Sequence, residues 1–134
     1  MTTKKPTEVL KVRGKIQRGL GESGNFLGIS WVNNQIQEKM CFSPWQGTLN
    51  IVLEDGEAQR ILKARPAERI VAGEPGFCDA IIFCGMINQK YECGVIIPLV
   101  PSYPENILEI VAPVRLKDAL NIDDGDMVEL ELYI

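Results

Sequence analysis

Polar and apolar residues alternate with a period of two along much of this chain. Leu10, Val12, Gly14 and Ile16 fall on one side and Lys11, Arg13, Lys15 and Gln17 on the other. That is the pattern of a half-buried strand with a basic outer face. It returns near residue 134, where Val128, Leu130, Leu132 and Ile134 oppose Glu129, Glu131 and Tyr133. Residues 48–54, 80–87, 91–98 and 107–112 also predict strands, the middle pair joined as a hairpin around Asn88-Gln89-Lys90.

Helical periodicity is scarcer. Ser30 is placed to cap a helix running through Met40, with Val32, Ile36 and Met40 stacked one turn apart. Residues 58–64 predict a second helix, stopped by Pro66. Residues 114–120 predict a third, with Leu116 and Leu120 one turn apart. Asp123-Asp124-Gly125-Asp126 then reads as a β-turn; a calcium loop needs alternating acidic ligands and a distal Glu. Six or seven strands with short helices predict a mainly β chain. The expected architecture is a small closed barrel in one domain over residues 1–134, with 1–7 a flexible start.

Composition narrows the chemistry. With 134 residues, 46% hydrophobic and 24% charged, the chain can bury one core. Fourteen Lys plus Arg against eighteen Asp plus Glu give a net charge of −4. That balance argues against binding nucleic acid or an anionic membrane, where affinity rests on many cationic contacts. Histidine is absent, which removes imidazole acid–base chemistry, Ser-His and Cys-His nucleophiles, and His-ligated zinc. Cys41, Cys78, Cys84 and Cys93 form no C-x-x-C pair, and Cys84 and Cys93 lie in apolar runs that suit reduced, buried thiols. Met1 to Pro6 lacks the apolar core of a leader sequence, so the expectation is a soluble cytoplasmic protein; no obligate protein partner is evident in the sequence.

Four segments carry candidate chemistry. Gly19-Leu20-Gly21-Glu22-Ser23-Gly24 matches G-x-G-x-x-G after a strand, but no helix or βαβ unit follows, and no Gly-Lys-Ser/Thr is present. It remains either a loop whose amides cradle a phosphate or a plain surface loop. In Pro44-Trp45-Gln46-Gly47-Thr48-Leu49-Asn50, Thr48 and Asn50 share a strand face, opposite Leu49, Ile51 and Leu53. Two neutral hard oxygens suit Mg²⁺, which completes its shell with water and phosphate; an ordinary solvent-facing strand edge fits the spacing equally. Glu109 interrupts the apolar run Ile107 to Ala112, as a strand-edge residue or a buried acid able to accept a proton. Arg115 and Lys117 could meet a triphosphate or form a solvated helix face.

Taken in order, these segments resemble the archaeal CTP-dependent riboflavin kinases. The resemblance is carried by the glycine loop, by Gly47-Thr48-Leu49-Asn50, and by Gly94-Val95-Ile96-Ile97-Pro98. It continues through Leu108-Glu109-Ile110-Val111-Ala112-Pro113-Val114-Arg115-Leu116-Lys117 and Asp124-Gly125-Asp126. It implies a six-stranded cradle-loop β-barrel that transfers the γ-phosphoryl of CTP to riboflavin, giving FMN and CDP. Position by position, it implies that Gly19, Leu20, Gly21, Glu22, Ser23 and Gly24, with Val114, Arg115, Leu116 and Lys117, hold the nucleotide. Thr48 and Asn50 would hold Mg²⁺, and Glu109 would contact the flavin. The chain departs from the family pattern at Ser23-Gly24, where a Gly-Arg is usual. It departs again at Pro101, where a Thr facing the flavin phosphate is usual and Ser102 is the neighbouring hydroxyl. A non-catalytic flavin or nucleotide sensor on the same barrel is the alternative. A swapped-hairpin DNA-binding module, suggested by residues 114–132, is a weaker one.

Overall fold

The computed structural model describes residues 8–18, 27–40, 42–45 and 47–134. Among these residues seven strands appear: β1 (Val9–Gln17), β2 (Leu49–Leu53), β3 (Glu68–Ile70), β4 (Ala80–Ile87), β5 (Tyr91–Pro98), β6 (Ile107–Val111) and β7 (Met127–Tyr133). Every pairing is antiparallel, in the order β3-β4-β5-β6-β2-β1-β7, and β4 pairs again with β7. That last pairing closes a six-stranded barrel and leaves β3 as an extra strand outside it. Closure depends on Gly85, which pairs with Leu132; a Cβ there would lie 2.2 Å from the Glu131 carbonyl oxygen.

The period-two pattern fills the barrel from every wall. Ile16, Ile51, Val95, Leu108, Ile110 and Leu130 are among the inward residues, all essentially sealed from solvent. A second apolar layer sits outside, where α1 (Ser30–Met40) lays Val32, Ile36 and Met40 on Ile70, Ile82, Ile96 and Val111. Gly94 permits that contact, since a Cβ on it would stand 2.5 Å from the Met40 side chain. The α1 cap differs from expectation. Asn33 N–H donates to the Ile29 carbonyl, so the cap position is Ile29, and Ser30 is already helical.

Two short helices, α2 (Glu57–Lys63) and α3 (Leu116–Ala119), follow β2 and β6. Asn88 and Gln89 take positive φ values of 50° and 57°, giving the β4–β5 hairpin its tight turn. Strand β3 was not foreshadowed: Glu-Arg-Ile just after Pro66 is too short to show alternation. Among the described residues, no helix is long and apolar enough to cross a membrane.

Candidate active site

Antiparallel register brings a polar row onto the outer face of the barrel. Gln17 pairs with Asn50, Asn50 with Glu109, and Glu109 with Ile96. Directly paired residues share a face, so Gln17, Asn50 and Glu109 stand beside one another across three strands, and the buried Ile96 of β5 ends the row. Thr48 lies two residues before Asn50 on the same side, while Leu49, Ile51 and Leu53 are buried on the other. Both β2 and β6 are flanked by partners on each side. Glu109 is therefore half-buried on a central strand, neither an edge residue nor a fully buried acid.

Two described residues bond its carboxylate. The Tyr103 hydroxyl donates to Oε2 at 2.7 Å, and the Thr48 hydroxyl approaches Oε1 at 3.4 Å. Tyr103 comes from the loop between β5 and β6, which is itself fixed. Its N–H donates to the Val100 carbonyl at 3.0 Å, closing a turn with Pro101 at the second position, which suits its fixed φ. From α2, the Gln59 side-chain amide donates to the carbonyls of Pro104 at 2.9 Å and Ile107 at 2.7 Å. Burial, then the Glu109 bond and charge, push the Tyr103 phenol far above its ordinary range, so it stays a donor at any working pH.

The segments after β6 and around β1 converge on this end. Trp45 N–H donates to the Ala112 carbonyl at 2.8 Å, tying the approach to Thr48 to the start of residues 113–117. Arg115 pairs with Asp118 at 2.7 Å, and Lys117 bonds Asp124 at 2.8 Å. The Lys117 bond, helped by the Arg18 charge, holds Asp124 below the usual carboxylate range. Ile16 exchanges backbone bonds of 2.8 Å with Gly125 and Asp126, so β1 ends beside the 123–126 turn and Lys117. That turn is a β-turn as expected, with Asp126 N–H on the Asp123 carbonyl at 3.0 Å and Gly125 at φ 92°.

The oxygens on this face are of a type that a divalent cation accepts. Thr48 and Asn50 offer neutral oxygens, and no cluster of three or more His, Cys, Asp or Glu exists among the described residues. A cation here would need those neutral ligands together with oxygens from a bound phosphate.

Comparison with known proteins gives the family. The sequence model of the CTP-dependent riboflavin kinase family, a domain of unknown function designated DUF120, matches residues 16–132. The chain belongs to that family. Among riboflavin kinases, that of Sulfurisphaera tokodaii is 32% identical over 136 residues, covering 96% of this chain and 98% of its own. That of Saccharolobus solfataricus is 33% identical over 133 residues, covering 93% and 75%. The riboflavin kinase of Methanosarcina acetivorans is 36% identical over 129 residues, covering 90% of this chain but 53% of its own. This member of the CTP-dependent riboflavin kinase family thus spans little more than half of the Methanosarcina relatives.

Several residues singled out in the sequence come together in this family member. Thr48, Asn50 and Glu109 form one cluster; Val114, Arg115 and Lys117 line the neighbouring segment. Leu116 is buried in the barrel core, so only its backbone can meet a ligand. Pro101 and Ser102 are exposed on the turn and bond none of the cluster's side chains among the described residues. Gly19 to Gly24 lie outside the described residues, as does Cys41. The residue that sequence reasoning missed is Tyr103. Its only signal was an aromatic set between Pro101 and Pro104, which says nothing about where the ring points.

Proposed function

We propose that this chain is a kinase that transfers the γ-phosphoryl group of CTP to the ribityl 5′-hydroxyl of riboflavin, giving FMN and CDP. The observation that carries the reading is the shared outer face of Thr48, Asn50 and Glu109 on adjacent central strands. It puts a neutral oxygen pair next to an acid, at the end of the barrel where residues 113–117 and the root of the glycine loop meet.

The chemistry follows from placement. The acceptor hydroxyl oxygen attacks the γ-phosphorus, the bond to the β,γ-bridging oxygen breaks, and CDP leaves with that electron pair. Glu109 orients the hydroxyl and takes its proton as the new bond forms. Thr48 and Asn50 would hold Mg²⁺, which neutralises charge building on the phosphate oxygens. Arg115, Lys117 and the amides of Gly19 to Gly24 grip the nucleotide, holding donor and acceptor in line.

The direct test is to incubate pure protein with riboflavin, Mg²⁺ and each nucleoside triphosphate in turn. FMN formed with CTP in preference to the others is expected. No FMN with any nucleotide overturns the reading, and saturable riboflavin binding without turnover makes the protein a sensor instead.

A further inference from the structure

We propose that Tyr103 is a positioning residue, fixing the Glu109 carboxylate in the orientation from which it meets the riboflavin hydroxyl; this rests on the kinase reading above. A glutamate on a strand has three rotatable side-chain bonds, and half-burial alone does not choose among their settings. Here one oxygen is taken. Oε2 accepts the Tyr103 hydroxyl at 2.7 Å, a short bond to a charged acceptor, which leaves Oε1 on the Thr48 side. With Asn50 directly opposite in the register, that edge is the one that faces the candidate metal pair. The carboxylate is thus aimed at the place where acceptor and phosphate must meet.

The donor is as well fixed as its target. The Tyr103 backbone closes the Val100 turn, and the next residue's carbonyl is gripped by Gln59, which is 1% exposed. The ring is half-buried, and its hydroxyl is the loop's contact with the acid. This arrangement costs no reorganisation when substrate arrives, which is what a preorganised acid requires. Pro101 and Ser102 stay exposed on the same turn.

A double-mutant cycle on riboflavin affinity, read by quenching of flavin fluorescence without metal or nucleotide, tests the role. Tyr103→Phe removes one oxygen and keeps the ring. It should weaken riboflavin binding by on the order of ten-fold in the native background, the scale of one charge-assisted bond partly felt by the ligand. In the Glu109→Ala background the same change should be silent, within about two-fold, because Tyr103 acts through the acid. CTP affinity should stay level in all four proteins, which also reports that each is folded. Turnover should show Tyr103→Phe raising KM for riboflavin and lowering kcat, with KM for CTP unmoved. Equal losses in both backgrounds would make Tyr103 a direct contact or a structural residue, and no loss in either would make it a bystander; both overturn the positioning role while leaving the kinase reading intact. Wild-type protein that neither binds nor phosphorylates riboflavin overturns both.

Discussion

Gln59 offers the sharpest test of how the loop is held. Its side chain is buried on α2, its amide donates twice to the β5–β6 loop, and its Oε1 has no partner among the described residues. Gln59→Met keeps the volume and removes both donors. Each bond is worth about 1 kcal/mol net, so about 2 kcal/mol is lost, and removing the unpartnered oxygen returns about 1 kcal/mol. The expected cost is therefore about 1 kcal/mol. Gln59→Glu also removes both donors but sets a carboxylate against two carbonyl oxygens. Its cost at neutral pH should exceed about 3 kcal/mol, because a buried charge is left unpaired. The sign of the pH response follows. Burial and the facing carbonyls raise the new carboxyl's folded pKa above its unfolded value of about 4.3, so folding takes up a proton. The variant should regain stability as pH falls towards that value and lose it as pH rises. Urea unfolding followed by circular dichroism, at neutral and mildly acid pH, reads both variants. Equal costs, or a Gln59→Glu protein within about 1 kcal/mol of wild type at neutral pH, would refute the clamp reasoning.

Other expectations follow from the same geometry. Glu109→Gln should slow FMN formation ~10²–10⁴-fold while CTP still binds, as measured by steady-state turnover beside nucleotide calorimetry; an unchanged rate removes Glu109 from proton transfer. Thr48→Ala and Asn50→Ala should each demand more Mg²⁺ for half-maximal turnover with little change in unfolding midpoint. If both retain the wild-type magnesium curve, the cation sits elsewhere. Gly85→Ala should destabilise the barrel by about 3 kcal/mol or more, since the added carbon meets the Glu131 carbonyl and backbone must move; thermal unfolding reads it, and a near-native midpoint would contradict the closure geometry. Burial raises the Cys93 thiol to about 12, so its ionisation in the unfolded chain should cost stability as pH rises from roughly 9 towards that value. The slope is on the order of 1 kcal/mol per pH unit, and Cys93→Ala should flatten it.

The barrel was legible because alternation is a local signal with a global consequence. Ala80–Ile87 and Tyr91–Pro98 begin and end where the pattern does, as does α1 at Met40. What alternation could not report is which strands are neighbours. Glu109 could be placed on a strand face from spacing, but its alignment with Asn50 and Gln17 depends on the order β6-β2-β1, which no residue announces. For the same reason, a central acid read as either edge or core. The chemistry of Thr48 and Asn50 was visible in their types and spacing; that Thr48 and Glu109 would touch was not. Tyr103 and Gln59 escaped altogether. Each acts through a tertiary contact between a loop and a neighbouring element, and loop aromatics or helical glutamines are ordinary residues until the fold sets them opposite a partner.

The pairing of β1 with β7 also orders events in time. Strands near opposite ends of the described chain share a seven-residue register, from Val9 opposite Tyr133 to Lys15 opposite Met127. Contacts so distant in sequence carry a large loop-closure cost and form late, which makes the assembly of such a barrel slow. During synthesis, β4 and β5 can zip as a hairpin, and β2 can meet β6, while β1 still lacks one neighbour and Gly85 to Ile87 of β4 lack their β7 partner. The cylinder shuts only when β7 arrives to join them both. The acid and the oxygen pair stand on β6 and β2, so they can gather on an open, curling sheet. Their final alignment waits for the last strand, and a nascent chain halted before β7 would carry every candidate catalytic side chain with no closed wall to hold them.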